Sequence, residues 1–120
     1  MNRKRLEKIF CWKISGELKL FKFRILKMKK KDIFQAAYQI DTVICIYELL
    51  IETSTCMSEE ALQAGISFPG ILMFLYERWL SYEDVHMENL MCCLNEELAK
   101  ILKHYGEKKS KEKKKKKKKN

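Results

Sequence analysis

The chain has 120 residues, 47% apolar and 34% charged, with a net charge of +9. That length leaves room for one domain. Its five cysteines (Cys11, Cys45, Cys56, Cys92 and Cys93) are odd in number and form no Cys-x-x-Cys spacing, which argues against a secreted disulfide scaffold and for reduced thiols packing as small hydrophobes.

The charge is unevenly placed. Residues 1–31 carry net +10, residues 32–106 net −9 and residues 107–120 net +8. The middle is therefore acidic, and the cationic charge is expected on two arms outside the core. Those arms can reach a polyanion or pair with the acidic middle, and salt weakens either contact. Lysine outnumbers arginine 21 to 4. Lysine acts as a point charge, whereas base edges are read by the bidentate fork of arginine, so specific base reading by the arms is not expected.

In chain order, residues 1–31 change character repeatedly. Leu18 to Lys27 alternates in part, like a strand, yet also sets Leu18, Phe21, Ile25 and Met28 on one helical face. Ser15-Gly16 reads as a break before it. No uninterrupted apolar run of about 7 to 15 residues marks a secretory signal, and a cytoplasmic protein is expected. Met28-Lys29-Lys30-Lys31-Asp32-Ile33 has the form of a protein start, so Met28 is a second candidate initiator beside Met1; intact mass from the native source would decide.

Asp32 as N-cap and Gln35 three positions later resemble a capping box, followed by an apolar stripe from Ile33 to Ile51. This predicts a helix of about 20 residues ending near Glu52 to Ser54. It has the length of a membrane span, but Asp41 and Glu48 lie inside it, and an acid at mid-span costs roughly 2.5 to 3.5 kcal/mol. An amphipathic helix is therefore expected. Ser58-Glu59-Glu60 starts a short helix that Gly65 can stop. Pro69, in a first turn, opens a segment 70–80 that is apolar on all sides and expected at the centre of the core. Ser81, with Asp84 at N3 and a Leu80–Val85 staple, could start another helix. Met87, Met91, Leu94, Leu98, Ile101 and Tyr105 then repeat at steps of four and three, a coiled-coil-like seam that can pack inside the chain or against a partner. Gly106 is a natural helix end, and the lysine-rich 107–120 is expected to be disordered.

Few constellations could carry chemistry. Glu83-x-x-His86 has the spacing of half a di-iron site, but no second Glu-x-x-His exists. Cys92 and Cys93 project about 100° apart on a helix and can hardly share one zinc ion with His86. Pairing either thiol with His86 or His104 lacks a nucleophile elbow or oxyanion glycine, and no phosphate-cradling loop is present. Tyr76, Trp79 and Tyr82 at steps of three read as core, with Trp79 and Tyr82 also able to anchor an interface. Trp12, Phe21 and Phe23 among lysines could stack bases, lie on anionic lipid, or simply pack.

The expected fold is all-α: a small antiparallel bundle of three to four helices over residues 32–106, with a basic arm at 1–31. The expected role is a non-enzymatic helical protein–protein interaction module, without cofactor, metal or small-molecule substrate, meeting a protein partner or a second copy through the 87–105 seam. The alternative is nonspecific nucleic-acid binding through Arg3, Lys4, Arg5, Lys29, Lys30, Lys31 and Lys113, Lys114, Lys115, Lys116, Lys117, Lys118 and Lys119. An anionic membrane surface is a third partner class.

Overall fold

The computed structural model describes residues 2–82 and 89–118, with side chains through residue 111. Six helices make up the described residues, with no strand: α1 (Arg3–Leu26), α2 (Lys30–Gln35), α3 (Ala37–Ser54), α4 (Glu59–Ser67), α5 (Ile71–Leu80) and α6 (Leu90–Lys118). The all-α class expected from the apolar periodicity is present, with more helices than the three to four expected.

The main correction lies at the N-terminus. Residues 3–26 are not an arm outside the core but a 24-residue helix that helps to build it. Leu6, Phe10, Ile14, Leu18 and Phe21 are all buried, at steps of four, four, four and three, which keep a side chain on one face of a helix. Asn2 caps the helix by accepting from the Arg5 N–H at 2.8 Å. Ser15-Gly16 does not break it: Ser15 meets the Tyr47 hydroxyl on α3 at 3.0 Å, and Gly16 sits in open space. An exposed mid-helix glycine costs only about 1 kcal/mol, which the buried stripe outweighs.

Helix α1 packs against α3, α4 and α5, while α6 covers α4 and α5. Two polar clamps fix α1 in this position. The Arg3 guanidinium donates to the main-chain oxygens of Ser54 at 3.0 Å, Thr55 at 2.5 Å and Met57 at 3.0 Å, and pairs with Glu7 at 3.2 Å. It thereby satisfies carbonyls at the end of α3, where positive charge also favours the helix dipole. At the other clamp, Lys13 bridges Glu17 and the Phe68 carbonyl, each at 2.5 Å. The second carboxylate oxygen of Glu17 accepts from the Leu72 N–H at 2.9 Å and so caps the start of α5 from outside.

The expected helix from Asp32 is divided. Lys29 occupies the N-cap of α2 with no side-chain bond, Asp32 falls in the first turn, and Ala36 interrupts the run before α3. An aspartate in a first turn still meets the positive end of the dipole, so its signal is displaced by one turn rather than lost. Ser58 does cap α4, accepting from the Ala61 N–H at 3.1 Å. Gly65 does not end α4, which continues to Ser67; it is buried under the Phe10 ring. Pro69 lies before α5, not in its first turn, and Gly70 turns the chain at φ 65°, a left-handed conformation suited to glycine. Helix α5 is the central element expected, with Ile71, Leu72, Leu75, Tyr76 and Trp79 buried.

Ser81 ends α5 instead of opening a new helix, its hydroxyl donating to the Arg78 carbonyl at 2.6 Å. The proposed N3 acid Asp84, the staple residue Val85, and Glu83, His86 and Met87 lie outside the described residues. Helix α6 does not stop at Gly106 but continues to Lys118. Lysine is a good helix former, and cations near a helix C-terminus favour its dipole, which offsets the glycine. Among the described residues, no helix is long and apolar enough to cross a membrane.

Candidate functional site

Of the seam that could pack inside the chain or against a partner, the described positions from Met91 to Tyr105 lie against this chain's own helices. Leu94 and Ile101 are buried, and Met91, Leu98 and Tyr105 are half-buried, the last two against the common core. The periodicity located the packing face of α6, and its neighbours are this chain's own α4 and α5. Trp79 is likewise internal, with no exposure, its indole N–H donating to the Tyr38 hydroxyl at 3.0 Å. Tyr82 stacks on it at 6.4 Å between ring centroids.

The cationic residues divide into separate roles. Arg3 is the clamp on α3 described above and is not free for a polyanion. Lys4, Arg5, Lys29, Lys30 and Lys31 are exposed. Lys113 to Lys118 continue α6, with side chains beyond those described, and Lys119 lies outside the described residues.

One buried polar cluster joins α5 and α6, and the sequence reading missed it. Glu97 is only 2% exposed, yet it meets Arg78 Nε at 3.3 Å, Lys100 Nζ at 3.3 Å and the Tyr82 hydroxyl at 3.2 Å. Tyr82 also donates to Glu96 at 2.8 Å, and burial followed by the Glu96 bond pushes its phenol well above the usual range. Two cations and a phenol surround this carboxylate, so it holds α6 to α5 and is not placed as a free base. Burial raises the neighbouring Cys93 thiol, the Tyr82 bond opposes this, and Glu97 and Glu96 raise it further. Cys45 is also raised, by burial and then by Asp41 and Glu48. Fewer thiolates form on such residues at neutral pH, the opposite of what a nucleophile needs. Pulsed labelling with a thiol reagent near about pH 8 should therefore mark exposed Cys56 and Cys92 first, with Cys45 and Cys93 following slowly until the chain is unfolded. Rapid labelling of Cys93 in the folded protein would contradict this. No group of three or more metal-ligating side chains occurs among the described residues.

Among the described residues, exposed large apolar side chains include Phe34 on α2 and a group on the outward face of α1. Trp12 is 74% exposed, Leu20 52%, Phe23 56% and Leu26 77%. At 100° per residue, these four fall within an arc of roughly 120°, opposite the buried stripe. Lysines interleave with them: Lys8 and Lys19 lie within the same arc and are exposed, and the Lys27 ammonium sits 4.3 Å from the Phe23 ring centroid. Acids are absent from this face. The two on α1, Glu7 and Glu17, lie half-buried on its packed side and are paired there with Arg3 and Lys13. Of the basic aromatic stretch, Phe10 and Phe21 are core, while Trp12 and Phe23 are surface. No known protein family matches the chain, and neither curated proteins nor solved structures give a match to it.

Proposed function

We propose that this protein is a non-enzymatic interaction module that presents the outward face of α1 to its partner. One observation supports this reading above the others: Leu20, Phe23 and Leu26, at steps of three, stand exposed together, with Trp12 on the same side about two turns away, on a helix whose opposite face is used in the core. Isolated exposed apolar residues are ordinary, whereas a contiguous exposed patch marks a contact surface. The seam from Met91 to Tyr105, which the sequence left open to packing inside the chain or to a partner, supports this reading less, because its described residues lie buried or half-buried in this chain. The lysine-rich segment beyond Gly106 serves this reading as a cationic extension that raises local affinity for acidic partners without specifying one. Five free thiols suit a reducing compartment.

The reading is tested by placing a photo-reactive benzoylphenylalanine at Leu20 of the full chain in living cells, with the same group at exposed Glu48 on α3 as control. Adducts are expected from position 20 and not from position 48. Equal yields at both positions, or adducts from position 48 alone, would move the contact surface off α1.

A further inference from the structure

We infer that the outward face of α1 lies flat on an anionic lipid bilayer, with Trp12, Leu20, Phe23 and Leu26 entering the boundary between headgroups and acyl chains. The inference rests on the reading of this face as the contact surface and adds what it contacts. Three features of the face select the bilayer.

Its charge has one sign. Lys8 and Lys19 lie among the apolar side chains, and no carboxylate offsets them. Two such faces brought together would repel, so a symmetric pair of copies is disfavoured. Lysine is also depleted from the centres of protein interfaces, where its charge must be desolvated. At a membrane the same residue is suitable, because the stem lies along apolar surface while the ammonium reaches headgroup phosphate.

Its apolar groups are of mixed kind. Single-stranded nucleic acid uses flat rings on which bases stack. Leu20 and Leu26 offer no ring and no hydrogen bond, yet they are 52% and 77% exposed, beside Phe23 at 56%. Aliphatic and aromatic groups serve equally in an acyl environment, and tryptophan favours the interfacial depth.

Its form is a convex helix side, 24 residues or roughly 36 Å long. A planar surface can meet all of it at once, to a depth of about 5 to 10 Å for an interfacial helix. Because no described helix can cross a membrane, the protein would lie on the surface and not span it.

Tryptophan fluorescence reads the contact directly. Trp79 has no exposure, so acrylamide quenching of the folded full-length chain reports Trp12. Adding vesicles of phosphatidylcholine with phosphatidylserine should protect Trp12, and pure phosphatidylcholine should not. The cationic tail can bring the chain to anionic vesicles without α1, so co-sedimentation alone is not the criterion. The variant Phe23→Ser/Leu26→Ser keeps every charge and alters only exposed positions. It should weaken vesicle binding by about tenfold or more and abolish Trp12 protection, with an unchanged thermal melt.

Sedimentation with Trp12 still quenchable, or full protection in the variant, overturns the inference. So does stronger protection by a single-stranded oligonucleotide than by vesicles, or protection that grows with protein concentration alone; these would assign the face to nucleic acid or to another copy. Vesicle results of that kind together with a Leu20 crosslink in cells would leave the interaction reading standing and remove only the lipid. Loss of the Leu20 crosslink itself would remove both.

Discussion

A chain beginning at Met28 is expected to lose the cooperative fold. It would lack Leu6, Phe10, Ile14, Leu18 and Phe21, five of the twenty buried apolar residues among those described. At about 1.5 to 3 kcal/mol for each fully buried side chain, that is roughly 8 to 15 kcal/mol of burial, an upper estimate because unfolded chains are partly collapsed. A whole domain has a net stability of only about 5 to 15 kcal/mol. The truncation also removes the Arg3 clamp from the end of α3 and the Glu17 carboxylate from the Leu72 N–H, leaving main-chain groups without their partners. Residues 28–120 should retain helical circular dichroism, melt without a sharp transition and bind a hydrophobic dye, as loosely packed helical states do. Self-association of such a fragment would report its uncovered core and not a native contact. A cooperative melt of monomeric 28–120, close to that of the full chain, would show that α1 is dispensable.

The reason α1 was hard to read from the sequence is the same feature that makes it a candidate surface. Its buried stripe is regular, but Trp12, Leu20, Phe23 and Leu26 add apolar residues on the opposite side. Two apolar faces blur the three-and-four spacing and imitate strand alternation between Leu18 and Lys27. The dense lysines add to the effect, because solvated lysines on a packed helix and lysines on a loose arm have the same composition. Elements with a plain local signal were legible: Ser58 and its two following acids placed the start of α4, and the unbroken apolar run from Ile71 placed α5. The steps of four and three in α6 passed through buried Leu94 and Ile101 but left out Leu90, Cys93 and Glu97, which are buried beside them, and did not say whose surface the helix meets, since intramolecular and intermolecular seams follow one rule. The Glu97 cluster left no periodic trace because Arg78, Tyr82 and Glu97 come together only when α5 and α6 are packed. Arg3 likewise counts as one more positive charge until the end of α3 is brought to it.

Gly65 provides the sharpest test of how α1 is seated. A Cβ added there would stand 2.6 Å from Phe10 Cε2 and 3.0 Å from Phe10 Cδ2, closer than real Cβ atoms approach their neighbours. The Phe10 ring is fully buried, so it cannot swing into solvent to make room. Gly65→Ala should gain about 1 kcal/mol from helix propensity, since the position is inside α4. The forced shift of a packed ring costs about 1 to 3 kcal/mol, and more when surrounding groups cannot move. The balance is a net loss of up to about 2 kcal/mol for alanine, and Gly65→Val should cost more because its branches add volume and have lower helix propensity. For a domain of this size, each 1 kcal/mol lowers the melting temperature by about 4 to 8 °C. The direction should reverse when the ring is made smaller. Phe10→Leu alone creates a void, but in the Gly65→Ala background the new methyl group partly fills it, so the double variant should be more stable than the two single losses predict. A coupling of about 0.5 to 3 kcal/mol is the range for residues in direct contact. Strict additivity, or a Gly65→Ala chain more stable than the parent, would mean that α1 and α4 do not meet ring against backbone, and the α1 face would lose the rigid seat that turns Trp12 and Phe23 outward.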